Sequence, residues 1–192
     1  MNRKISGLIT VILTLFLATA ISASENSPPK VGNPMPDFEL PMLNNPVDLQ
    51  YLGLSASGKS FRISQVKAKV VILQIYSMYC PYCQAEAPNV NRLYATIENS
   101  PALKDKIKII GIGAGNTQFE VETYKKKYAV PLPLVPDDDF KIHKIMGEVR
   151  TPYFIAVKLN NDGKTEVIYS RLGALGNVDV FLAQVVTLSG LK

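Results

Sequence analysis

The thiol content of this 192-residue chain is two cysteines, and both stand in Cys80-Pro81-Tyr82-Cys83. Two residues between thiols put Cys83 one helical turn behind Cys80. Upstream, Val70-Val71-Ile72-Leu73-Gln74-Ile75-Tyr76 is an apolar, β-branched run of strand length. Downstream, Pro88, Val90, Leu93, Tyr94 and Ile97 recur at helical spacing, which predicts a helix from about Pro81 to Ile97. Cys80 therefore falls where a strand gives way to a helix, and Pro81 suits the first turn, where a backbone N–H has no helical partner. Unpaired N–H groups and the helix dipole favour an anion there, and for a cysteine that anion is the nucleophilic thiolate. Cys80 can then attack a disulfide, and Cys83 can release the product by attacking Cys80.

Other uses of the pair fit less well. A disulfide across so short a loop constrains little of the unfolded chain. A structural zinc site needs four ligands, and the chain adds only one histidine to its two cysteines. Haem attachment needs a histidine directly after Cys83, where Gln84 stands. No metal site is expected, and no cofactor beyond a redox-active Cys80–Cys83 disulfide.

The elements that must position the pair can be read in order. Arg3 and Lys4 precede an apolar run from Ile5 to about Ala18, followed by small residues to Ser24. That is the layout of a secretory signal, cut after Ala20 or Ala23, with Ala23 favoured. The alternative is an uncleaved anchor, since the run extended to Ala23 is nearly long enough to span a bilayer. Residues 1–23 are thus read as the signal, 24–30 as a polar, proline-rich linker and 31–192 as one domain. The short signal suggests a bacterial periplasm, with inner-membrane attachment as the variant. The formal charge of +5 falls to +3 without Arg3 and Lys4, 19 basic against 16 acidic residues, which suits solubility and does not point to nucleic acid. Lys125-Lys126-Lys127 reads as a solvated helix face.

Phe38-Glu39-Leu40 and Ser60-Phe61-Arg62-Ile63 alternate as half-buried strands, with a turn expected at Gly58-Lys59. Ile107 to Gly113 reads as a second buried strand, entering a glycine-rich loop that lacks the spacing of a dinucleotide site. A helix is expected from about Thr117 to Tyr128. Val130 to Val135 is extended, and its prolines bar it from a central strand interior. Asp137-Asp138-Asp139 is read as capping a short helix through Met146 and not as a metal site. His143 on that helix is read as a surface or half-buried side chain. Val149 to Val157 is a strand whose Thr151-Pro152 bond is a candidate for the cis form. Asn161-Asp162-Gly163-Lys164 signals a hairpin turn and Thr165 to Leu172 its partner strand. A last helix spans Val178 to Leu188, with Val180, Phe181, Val185 and Leu188 on one face. Strand–helix units followed by a hairpin and a helix predict an α/β fold with a mixed sheet covered on both faces.

The set Val31-Gly32-x-x-x-Pro36-x-Phe38-x-Leu40, Gly58-Lys59 to Ser64, Tyr79-Cys80-Pro81-Tyr82-Cys83-Gln84-Ala85-Glu86-Ala87-Pro88 and Thr151-Pro152 resembles the TlpA/ResA type of thioredoxin-fold proteins, within the redoxin (AhpC/TSA) superfamily. The resemblance implies a thioredoxin-like fold with an extra N-terminal β-hairpin. It implies Cys80 as nucleophile, Cys83 as resolving thiol, and Pro152 as a cis-proline against the thiols. The backbone at Thr151 would pair with an extended substrate. Glu86 matches an acid such proteins keep near the pair, able to exchange a proton with Cys83. Tyr79, Pro81 and Tyr82 complete the site. Tyr79 stands where the family has Trp, Gln74 where thioredoxin has a buried acid, and Pro-Tyr is the glutaredoxin dipeptide. The loop from Asn44 to Ser57 is longer than usual.

The implied activity is exchange of electrons with cysteines of exported proteins, as a reductant more than an oxidant, of apocytochrome c (cytochrome c maturation) or metallochaperone type. A membrane thiol donor of the DsbD/CcdA type would recharge it. Two alternatives remain. A peroxiredoxin-like peroxidase would want Pro and Thr where Leu73 and Ser77 stand. A non-catalytic thiol or copper-binding module would use Cys80, Cys83 and Met78.

Overall fold

The computed structural model describes residues 27–191; the expected signal and the start of the linker lie outside them. A five-stranded mixed sheet runs in the order β5-β4-β3-β6-β7. Its centre is β3 (Val70–Tyr76), parallel to β4 (Ile107–Ala114) and antiparallel to β6 (Tyr153–Leu159). The edges are β5 (Leu134–Asp137), parallel to β4, and β7 (Thr165–Leu172), antiparallel to β6.

Every residue of β3 is buried, as its unbroken apolar run requires of a strand covered on both sides. Alternation divides it. Val70, Ile72 and Tyr76 face a core shared with α2 (Pro81–Glu98), α3 (Gln118–Lys127) and α5 (Val178–Ser189). Val71, Leu73 and Ile75 face a second core built from the N-terminal segment, α1 (Pro46–Leu52) and α4 (Lys141–Ile145). Buried side chains of this size are each worth about 1.5–3 kcal/mol.

The N-terminal strand pair is present as β1 (Leu40–Pro41) against β2 (Ser60–Phe61), antiparallel. What joins them is more than a turn. Residues 44–57, read from the sequence as a loop, hold α1 instead. Asn45 caps it by accepting from the Val47 N–H at 2.9 Å, and Gly53 ends it at φ +65, a conformation that costs glycine nothing. A short 3-10 turn follows at Ile63–Gln65.

Gly111 and Gly113 lie inside β4, as read, and the strand runs one residue further, to Ala114. Neighbouring side chains occupy the space a Cβ would need: one on Gly111 would come within 2.3 Å of Leu134 Cδ2 and 3.3 Å of the Tyr76 ring, and one on Gly113 within 3.1 Å of Asn116 Cβ and 3.2 Å of the Tyr76 hydroxyl. Two local expectations change. On α2, Pro88 points to solvent while Ala87 takes the buried position. On α5, Val180 and Leu188 are exposed while Phe181, Leu182 and Val185 are buried. The aspartates do cap α4, but from a distance: Asp137, the last residue of β5, accepts from the Ile142 and His143 N–H groups at 2.9 and 2.8 Å. Half-buried His143 bonds through Nε2 to the Val149 carbonyl at 2.8 Å.

Candidate active site

Cys80 is the N-cap residue of α2, with extended φ −81 and ψ 115, and Pro81 opens the helix. The bend before it is held from two sides. The Asn116 Oδ1 accepts from the Met78 N–H at 2.8 Å, and Gln84 Nε2 donates to the Met78 carbonyl at 2.8 Å. Asn116 is fully buried in the turn after β4. Neither role was legible in the sequence: Gln84 figured only as part of the motif, and a polar side chain two residues after a buried strand, as Asn116 is, carries no signal by itself.

Cys80 is half-buried, and as a thiol its Sγ donates to the Thr151 carbonyl at 3.3 Å. The Thr151–Pro152 peptide bond is cis, and Pro152 is buried. Burial pushes the Cys80 thiol up. Hydrogen bonds offered to the thiolate by the Thr151 side chain, by Cys83 and by the Tyr82 N–H outweigh that effect, and the net shift is downward. In the thiol state Cys80 makes no side-chain cap bond to its helix; those N–H groups matter once the sulfur ionises.

Cys83 is fully buried. Burial, reinforced by the neighbouring Cys80, pushes its thiol up to about 12, against smaller lowering contacts from Ser77 and Thr151. The Tyr124 hydroxyl, from α3, donates to the Cys83 carbonyl at 2.8 Å. That hydroxyl was not foreseen, because only the crossover of α3 brings it over the first turn of α2. Tyr124 stacks between Tyr76 and Tyr128, with centroids 4.7 Å away in each case.

Glu86 is buried one turn further along, its carboxylate accepting from the Leu175 N–H at 2.9 Å and the Asn89 side-chain amide at 3.3 Å. Tyr79 and Tyr82 stand out into solvent. The Tyr79 hydroxyl bonds to Glu120, which with Thr117 forms the capping box of α3. Tyr79 is thus tied to the start of α3. Beside Cys80 runs a groove of about 410 Å³ between Tyr82, Ala85 and Glu86 on α2, Arg150 to Pro152, and Leu172 to Ala174. All eight residues expected at the site therefore gather at one end of the sheet.

Among the described residues, no group of three or more His, Cys, Asp or Glu side chains is placed to hold a metal ion. Met78 is half-buried and packs against the core.

The pattern of the AhpC/TSA family matches residues 31–167. The chain belongs to that family. Within it the chain is a TlpA/ResA-like redoxin. It is 27% identical over 170 residues to the thiol-disulfide oxidoreductase ResA of Bacillus cereus, covering 84% of this chain and 86% of that one. It is 24% identical over 150 residues to ResA of Oceanobacillus iheyensis, covering 77% of this chain and 71% of that one. A solved thiol:disulfide interchange protein of the thioredoxin family from Chlorobium tepidum superposes with a TM-score of 0.57 at 18% identity, over 83% of this chain and 97% of its own, which places the fold. These relatives make the chain a thiol–disulfide oxidoreductase.

Proposed function

We propose that the protein works in an exported compartment, where its Cys80–Cys83 dithiol reduces disulfides of partner proteins. The observation that carries this is the asymmetry of the pair. One sulfur is accessible at a helix tip with its ionisation favoured, and the other is buried one turn behind and held protonated.

The Cys80 thiolate attacks one sulfur of a partner disulfide. That S–S bond breaks, a Cys80–partner bond forms, and the first partner sulfur leaves as a thiolate that takes a proton from water. Cys83 gives up its proton and attacks Cys80 Sγ. The Cys80–Cys83 disulfide forms and the second partner thiol is released, so two electrons have passed to the partner. Glu86 is the carboxylate proposed to take the Cys83 proton, Thr151 and Pro152 to seat the partner chain, and Pro81, Tyr79 and Tyr82 to shape the approach. The direction is supported by the stretch between α2 and Thr151, which holds β4, α3, β5 and α4 and not the large helical insertion of a DsbA-like oxidant.

Export rests on Arg3, Lys4 and the apolar run after them. Cysteine-bearing exported proteins of apocytochrome c or metallochaperone type are the proposed partners. A membrane thiol donor of DsbD/CcdA type would re-reduce the pair, with no further cofactor.

Equilibration with a glutathione or dithiothreitol buffer gives the reduction potential of the couple. A value below about −200 mV is expected, and one near about −120 mV would instead make the protein an oxidant. Cys83→Ser is expected to accumulate mixed disulfides through Cys80.

A further inference from the structure

We propose that the groove beside Cys80 favours partner segments with a carboxylate close to the reacting cysteine, and that Arg150 is the residue that reads it. This rests on the oxidoreductase reading above and adds the chemistry of the substrate.

The charged side chains lining the groove are Glu86 and Arg150. They are in opposite situations. Glu86 is buried, and each of its oxygens is engaged, one by the Leu175 N–H and one by Asn89. Arg150 is exposed, and no ion pair of the described residues includes it. A guanidinium offers five donors in a planar fork matched to a carboxylate, so the groove presents one unspent charge, and it is positive. The rest of the lining is mostly apolar, Ala85, Pro152 and Leu172 among it.

Position makes that charge selective. Arg150 directly precedes Thr151, whose carbonyl lies 3.3 Å from Cys80 Sγ. Successive Cα atoms are about 3.8 Å apart. A partner segment that brings its cysteine to Cys80 must therefore run past Arg150 within about two residues of that cysteine. An acidic residue there meets the guanidinium; a lysine there meets a like charge at short range.

The test uses symmetric disulfides of short synthetic peptides, alike except for Glu, Gln or Lys two residues before or after the cysteine. The Cys83-containing, fully reduced protein reduces each, and thiol release is followed at low and high salt. Glu peptides are expected to exceed Lys peptides roughly three- to tenfold in the second-order rate constant of this single turnover, with the gap narrowing as salt is raised. Arg150→Gln should flatten the Glu/Lys ratio and Arg150→Glu should invert it. Because the readout is a ratio within one variant, loss of folded protein does not mimic it. A ratio near one in the native protein, or the same ratio in Arg150→Gln, overturns the proposal. Bis(2-hydroxyethyl) disulfide, which has no charge to read, separates the two claims: a native protein that cannot reduce it sinks the oxidoreductase reading itself.

Discussion

Glu86 lies three residues beyond Cys83, where the sequence suggested a proton carrier, and the structure gives its carboxylate a second task. By accepting from the Leu175 N–H it ties α2 to the loop after β7 that walls the groove. Glu86→Ala leaves that buried N–H unsatisfied, and a loss of about 1–3 kcal/mol in denaturant unfolding is expected. Glu86→Gln retains an amide oxygen to accept the bond and should unfold close to the native protein. The same variant should slow the attack of Cys83 on a Cys80 mixed disulfide, measured by stopped flow, if the carboxylate handles the Cys83 proton. The thiols themselves set a pH dependence. The folded Cys83 pKa is raised to about 12, so the folded state holds a proton that the unfolded chain surrenders. Its contribution to stability is full below the unfolded value of about 8.5 and is lost as pH rises through the folded one. The reduced protein should therefore lose stability above about pH 9 more steeply than Cys83→Ser does. Cys80 runs the other way. With its pKa lowered, the thiolate forms at lower pH than in a free cysteine, and alkylation of Cys80 in Cys83→Ser should reach its plateau correspondingly early.

At the scale of elements, α1 accounts for a segment whose purpose the sequence left open. Edge strand β5 pairs only with Gly111 to Ala114, so the first half of β4 has no strand on that side. Tyr51 fills the gap, its hydroxyl accepting from the Ile109 N–H at 2.9 Å. Its ring lies 5.3 Å from Tyr94 on α2 and 4.2 Å from the Lys108 ammonium, which pairs with Glu98 at 3.1 Å. A helix thus closes an edge that would otherwise offer unpaired backbone to another chain. Tyr51→Phe keeps the ring and removes the acceptor. A loss of about 1–2 kcal/mol and faster hydrogen exchange at the Ile109 amide are expected, and unchanged exchange there would mean the edge is protected by something else. The helix that carries the cysteines shows how legible such elements were. Its start was marked by Pro81 and its body by Val90, Leu93 and Ile97, all buried as periodicity required, while Tyr94 is half-buried and Pro88 exposed. α1 was hidden because seven residues among prolines and asparagines show too little period to register.

Over the whole molecule, the topology does one thing for function: it brings the end of β3, the start of α2, the bend before β6 and the end of β7 to one end of the sheet. Residues 71 positions apart in the chain, Cys80 and Thr151, meet there because β3 and β6 pair antiparallel, Ile75 opposite Tyr153. From the chain alone came the thiol spacing, the strand-to-helix junction, the Thr-Pro bond and the hairpin, since each is written in neighbouring residues whose local chemistry permits little else. The packed structure alone decided that Asn116 and Gln84 clamp the Met78 peptide, that Tyr124 reaches Cys83, that Tyr51 seals β4, and that Arg150 faces the groove unpaired. Those contacts join residues distant in sequence, and a side chain's partner across a fold depends on crossover handedness and register, which no local pattern of residue types encodes.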